Sequence, residues 1–173
     1  MQNAATTVLA LTLAAVILLL VPLVTLTDRY DNVVQENVKL IVEEFVTEIR
    51  NTGKLSKTQY QDFVDRLSAT GNEYDIEIEI HYLDENPGKK LAQANYTKIG
   101  ENVYYIEYDT QTMNRLDAGT ILLYEGCFVY VRVKNINSTQ AQTLKSSLLS
   151  FSNADQYVIQ ANSSGMVTAN GKD

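Results

Sequence analysis

The single histidine, His81, lies in the alternating run Tyr74-Asp75-Ile76-Glu77-Ile78-Glu79-Ile80-His81-Tyr82, which sets it on the same strand face as Glu77 and Glu79. Two carboxylates and an imidazole on alternate residues are a conceivable ligand set for a divalent metal, because a strand projects every second side chain to one side. The solvated face of a half-buried strand produces the same alternation, and we adopt that reading. One histidine and one cysteine exclude zinc sites needing several such ligands, and H-E-x-x-H proteases as well. Gly53-Lys54 is followed by Leu55, and position 48 is Glu48 in place of the upstream glycine, so the pair is not a phosphate-binding loop. The neighbouring acids Glu43 and Glu44, and Asp62 and Asp65, read as solvated helix faces. Cys127 follows Gly126 at the mouth of an apolar strand and reads as a small core residue that has no disulfide partner. Asn95, Asn137 and Asn162 each open a glycosylation triplet, which has meaning only in a eukaryotic source. The expectation is a protein without catalytic residues, metal or cofactor.

What the chain does possess is an anchor. Residues 4–26 are apolar and charge-free, and Asp28 and Arg29 are the first charges in the sequence. At about 1.5 Å per residue the run covers roughly 34 Å, enough for a hydrocarbon core of about 30 Å. A cleaved signal peptide would have a basic start, a shorter core and small residues at its exit. None of these is present, so a retained anchor is expected, with the lipid bilayer as its first partner. Arg29 and Lys39 follow the span, and by themselves they point to a cytoplasmic C-terminal part. The chain carries 21 acidic and 14 basic side chains, a net charge of −7, with Lys89-Lys90 the one adjacent basic pair. That acidity argues against a nucleic-acid partner, which requires clustered Lys and Arg.

Beyond the anchor, Val34, Val38, Ile41, Phe45 and Ile49 recur at spacings of three and four and predict an amphipathic helix that Gly53 ends. Nothing between Leu26 and Asp31 breaks a helix, so one rod of roughly 70 Å is expected, with a bend at Pro22. Ser56 and Gln59 form a capping box for a second helix carrying Tyr60, Phe63 and Leu67. Strands are predicted over 74–82, 103–108 and 127–135. Asn86-Pro87-Gly88-Lys89 reads as a type II turn that sends residues 91–99 back antiparallel. Asp109 is expected to cap a short helix ending before Gly119, with a brief strand in Ile121-Leu122-Leu123-Tyr124. A further helix should begin at Asn137 or Ser138 and carry Ala141, Leu144, Leu148 and Phe151. A closing hairpin is expected to turn around Asn162-Ser163-Ser164-Gly165. The fold class is α+β, organised as a transmembrane helix over 1–27, an amphipathic stalk helix over 28–53 and a small antiparallel-sheet head over 54–173.

This layout resembles the pilins and pseudopilins of type IV and Tad-type assemblies. The segments TVLALTLAAVILLLVP, EEFVTEIRNTGKLS, HYLDENPGKK and SGMVTANG also look like envelope proteins of Tad-like pilus loci in Gram-positive bacteria. The resemblance implies an exported head, overriding the charge count, and assembly with itself or other pilin-like subunits through the N-terminal helix. Ala10, Ala14 and Ala15 would allow close helix approach, Pro22 marks the bend, and Val34, Val38, Ile41 and Phe45 would continue the apolar surface beyond the bilayer. Pilin precursors carry a basic leader and a Glu at the fifth position of the helix. This sequence shows neither, and its first Glu is Glu36, so processing by a prepilin peptidase is not expected. The alternative function is a membrane-tethered ligand-binding or sensor domain, which an apolar pocket with converging polar groups would mark.

Overall fold

The computed structural model describes residues 2–83, 104–148 and 158–172, and they form an α+β fold built on one very long helix. Helix α1 runs from Gln2 to Thr52 without interruption, passing through Pro22. Its 51 residues correspond to about 76 Å. Gly53 stops it in the left-handed conformation (φ +64°), its amide donating to the Ile49 carbonyl at 2.8 Å. A side chain does not fit there, because a Cβ would meet the Ala169 carbonyl and the Gly171 amide at 2.4 Å. The chain end is thus stitched against this turn, with Leu123 donating to Gly53 and Gly171 donating to Leu123, both at 2.8 Å.

Four antiparallel strands make the main sheet in the order β3-β2-β5-β6, with β2 at Tyr74–Leu83, β3 at Tyr104–Glu107, β5 at Phe128–Asn135 and β6 at Gln160–Met166. The central strands carry Ile78, Ile80, Val129, Val131 and Val133 on one face, all fully buried. Against them pack Val34, Val38, Ile41, Val42, Phe45, Val46 and Ile49 of α1, together with Phe63 and Leu67 of α2 (Lys57–Ser68). Phe45 stacks on Phe63 with ring centroids 4.0 Å apart. The distal half of α1 therefore belongs to the head's own core. The opposite sheet face presents Asp75, Glu77 and Glu79 of β2 and Arg132 and Lys134 of β5, alternating as the sequence predicts.

Helix α1 also guards the free edge of β6. The Gln35 side chain donates to the Gln160 carbonyl (2.7 Å) and accepts from its amide (3.1 Å), while Arg50 Nε donates to the Met166 carbonyl (2.9 Å). An edge strand otherwise offers these groups to other chains. Ala161 and Gly165 are the buried residues of β6, and a Cβ at Gly165 would lie 2.4 Å from Arg50 Nε. Small residues let the helix approach this closely.

Here the structure corrects the sequence. Asn162, Ser163, Ser164 and Gly165 are not a turn but the middle of β6, paired with Arg132, Val131, Tyr130 and Val129. Their small polar character serves an edge strand beneath a helix. Asp109 is likewise the first residue of α3 (Asp109–Ala118), with Tyr108 in the cap position. Its carboxylate accepts from the Ile78 amide at 3.1 Å, where β3 has already left the ladder. The brief strand β4 (Ile121–Leu122) pairs with β1 (Lys54–Leu55) and not with the main sheet. Helix α4 (Gln140–Leu148) starts later than expected, because Thr139 and Gln142 form the reciprocal capping pair (3.3 and 2.9 Å). The Ser56–Gln59 capping box is present as expected (3.2 and 2.9 Å). The proposed turn at 86–89, the strand at 91–99, the side chains of Leu144 and Leu148, and Phe151 lie outside the described residues.

Candidate functional site

The feature that distinguishes this molecule is the change of environment along α1. From Ala4 to Tyr30 the described side chains are exposed, apart from the partly covered Leu20 and Thr27. Large apolar groups stand open, with Leu18 73 % and Leu19 72 % exposed. This stretch lies in the one helix among the described residues long and apolar enough to cross a membrane, which holds an 18-residue segment of mean hydropathy 2.8. Its hydroxyls suit such a medium, since Thr12 donates to the Val8 carbonyl (2.6 Å) and Thr25 to the Val21 carbonyl (2.9 Å). Pro22 has no amide hydrogen for the Leu18 carbonyl, yet helical structure continues through it.

The boundary with the head falls at Asp31. This carboxylate is buried and accepts from Thr139 Oγ1 at 2.7 Å, tying α1 to the start of α4. One turn later Val34 enters the core. Of the residues proposed for membrane insertion or assembly, Ala10, Ala14, Ala15 and Pro22 lie on the exposed half. Val34, Val38, Ile41 and Phe45 are no more than 5 % exposed and face the head. They are not an open extension of the membrane surface. The large apolar residues of α1 that do remain open beyond the apolar stretch are Tyr30, Val33 and Leu40, at 48, 67 and 57 %. They were legible as a second spacing of three and seven on the same helix, but the stronger stripe beside them masked it. Together with Ala69 and Thr70 at the end of α2 they line a groove of about 620 Å³.

The polar candidates are dispersed. Glu77 is engaged by Arg132, whose Nε donates to it at 2.9 Å, and His81 Nε2 lies 3.8 Å from Glu79 Oε2. No three His, Cys, Asp or Glu side chains converge among the described residues. Cys127 is buried, as its setting suggested. Asn137 is committed to the fold, accepting from the Glu73 amide (3.0 Å) and donating to Asn72 (3.2 Å). A buried carboxylate that sequence reasoning missed, Glu107, is held by Arg115 at 2.6 Å. The same guanidinium donates to the Tyr82 hydroxyl (2.7 Å), and burial raises the Tyr82 phenol above its ordinary value. This trio fastens α3 to β2 and β3.

No protein-family model matches the chain, and neither a curated protein nor a solved structure does. The chain has the architecture of a long N-terminal apolar helix whose far end is embedded in an antiparallel-sheet head, a shape consistent with pilin-like proteins.

Proposed function

We propose that this is a non-enzymatic, single-span pilin-like envelope protein, of the minor pilin or pseudopilin kind. It sits in the cell membrane with its head outside and takes part in assembling a pilus or secretion complex. The observation that supports this reading is the continuity of α1, one rod that is apolar and open for its first half and structural for its second. A detached anchor would need only a flexible linker to its domain. Here the head cannot turn independently of the rod, because Val38, Val42 and Ile49 hold the helix in the core.

Protease added to intact cells, with any wall removed, tests the topology. The region from Asp31 to Asp173 should be digested without lysis, and the chain should require detergent for extraction. Digestion only after lysis would place the head in the cytoplasm and end the pilin reading. A soluble mature form beginning near Thr27 or Asp28 would identify the apolar helix as a cleaved signal.

A further inference from the structure

The loop that joins β5 to α4 carries an open isoleucine on a braced support. Ile136 is 63 % exposed, more than any other large apolar side chain outside α1 among the described residues. Its amide donates to the Glu73 carbonyl at 2.9 Å. On one side of it the Asn135 side chain donates to the Asn137 carbonyl (2.7 Å) and accepts from the Ile159 amide (2.9 Å). On the other, Asn137 is tied to Asn72 and Glu73. These bonds pair, within the protein, polar groups that an apolar medium would otherwise leave bare.

An isolated exposed isoleucine means little by itself. Its height on the rod decides what it meets. Gln35 of α1 bonds Gln160, the partner of Lys134 across the sheet, and Asp31 accepts from Thr139. Ile136 lies between Lys134 and Thr139 in the chain, so it stands level with the turn from Asp31 to Gln35, about 8 to 14 Å beyond Leu26 along the axis. The headgroup layer reaches about 5 to 8 Å beyond the hydrocarbon core. An apolar run of roughly 34 Å exceeds a core of about 30 Å, and a tilt of about 20 to 30° takes up the excess. Because α1 runs unbroken from the apolar stretch into the core, head and rod tilt together. Tilt toward the head lowers a loop standing roughly 10 Å beside the helix by about 3 to 5 Å. That carries Ile136 into the headgroup layer, at the level where Tyr30, 48 % exposed, already stands.

We propose that the bilayer holding α1 is also the partner of the near pole of the head: Ile136 enters the headgroup layer and, with Tyr30, sets the direction in which the rod tilts. Interfacial side chains set tilt in this way. The proposal rests on membrane insertion of α1 and holds for a head on either side of the membrane.

The test uses the full chain in phosphatidylcholine vesicles, which carry no net charge and so leave the exposed Glu73 of the same pole without influence. A fluorophore is placed at Ser138→Cys, Leu18→Cys or Asn51→Cys, and nitroxides are carried on the lipid headgroups or deep in the acyl chains. The parent controls for labelling of Cys127, which is buried. Headgroup nitroxides should quench the label at 138 several-fold more than the label at 51, about 38 Å beyond Leu26 on the axis. Deep nitroxides should quench the label at 18. Adding Ile136→Asp to the Ser138→Cys chain should cut headgroup quenching several-fold while head melting stays unchanged. Ile136→Ser should do the same, and Ile136→Leu should preserve the quenching. Deep quenching at 18 with none from the headgroups at 138 would leave the anchor intact and overturn the docked head. Quenching at 138 that Asp and Ser leave unchanged would also overturn it, since the rod alone would then set the height. Loss of deep quenching at 18 would remove the membrane reading itself.

Discussion

Leu18 and Val38 lie on one unbroken helix, yet the first is 73 % exposed and the second has no exposed surface. Both are aliphatic, and both belong to segments rich in Val and Leu. The difference is what surrounds them: the proximal half of α1 has apolar residues on every side, while the distal half concentrates its buried ones on the side that meets β5 and β6. All-round apolarity suits a solvent that is itself apolar, and one-sided apolarity suits a protein core. Helix α1 thus joins a stretch apolar enough to cross a membrane to a stretch built into the core, with the change made within about one turn at Asp31.

The sharpest way to break the comparison is to cut the helix at its two boundaries. A chain beginning at Thr27 keeps every α1 residue of the core and should fold as a soluble head. A chain beginning at Asn51 lacks seven buried side chains, Val34 to Ile49. At about 1.5 to 3 kcal/mol for each, roughly 10 to 20 kcal/mol of burial is lost, as much as a domain's whole stability of about 5 to 15 kcal/mol. Circular dichroism should show a cooperative melt for the first chain and none for the second. A cooperative melt from the chain starting at Asn51 would make the distal helix a mere stalk.

A single charge separates the two halves more finely. Val38→Asp buries a carboxylate with no partner and should cost about 3 kcal/mol or more of head stability. Leu18→Asp should leave the melt of the head unchanged, while weakening membrane insertion by about 3 kcal/mol, read as release into alkaline carbonate washes. Equal melting of the two variants would erase the distinction.

The smallest effect concerns the way the head holds the sheet beside α3. Burial pushes the Asp109 carboxyl up from its ordinary value, with Glu77 and Asp75 adding to the rise and the Ile78 amide opposing it. An acid whose folded-state pKa is raised binds protons more readily folded than unfolded. Its contribution to stability therefore falls as pH rises through the carboxylate range. Asp109→Asn keeps an oxygen for the Ile78 amide and removes that dependence. The variant should equal or slightly exceed the parent at about pH 7, with any advantage gone by about pH 3. Asp109→Ala should lose about 1 kcal/mol at both, having no acceptor. Asn and Ala variants that behave alike would show the Ile78 bond to be immaterial.

Local chemistry carried much of the fold in readable form. The span needs only length and absence of charge, the Ser56 box needs two side chains three residues apart, and β2 needs only alternation. These are short-range properties, decided before any distant contact forms. The span was accordingly legible as part of the candidate site, whereas the fate of the stripe at Val34 and Val38 was not. A stripe at helical spacing states that something apolar covers it, without stating whether that is the chain's own sheet or a neighbour.

Only the tertiary structure decided between those two, by bringing β6, more than a hundred residues later in the chain, against α1. The same contact explains the misread hairpin. Small polar residues such as Asn162 to Gly165 suit both a turn and an edge strand overlain by a helix, and composition does not distinguish them. The deciding partners, Arg50 over Gly165 and Gln35 on Gln160, lie far away in sequence. Membrane-scale apolarity was thus written in the sequence alone. Which apolar face of α1 remains free was settled by packing, because a side chain is covered by what the whole chain places beside it.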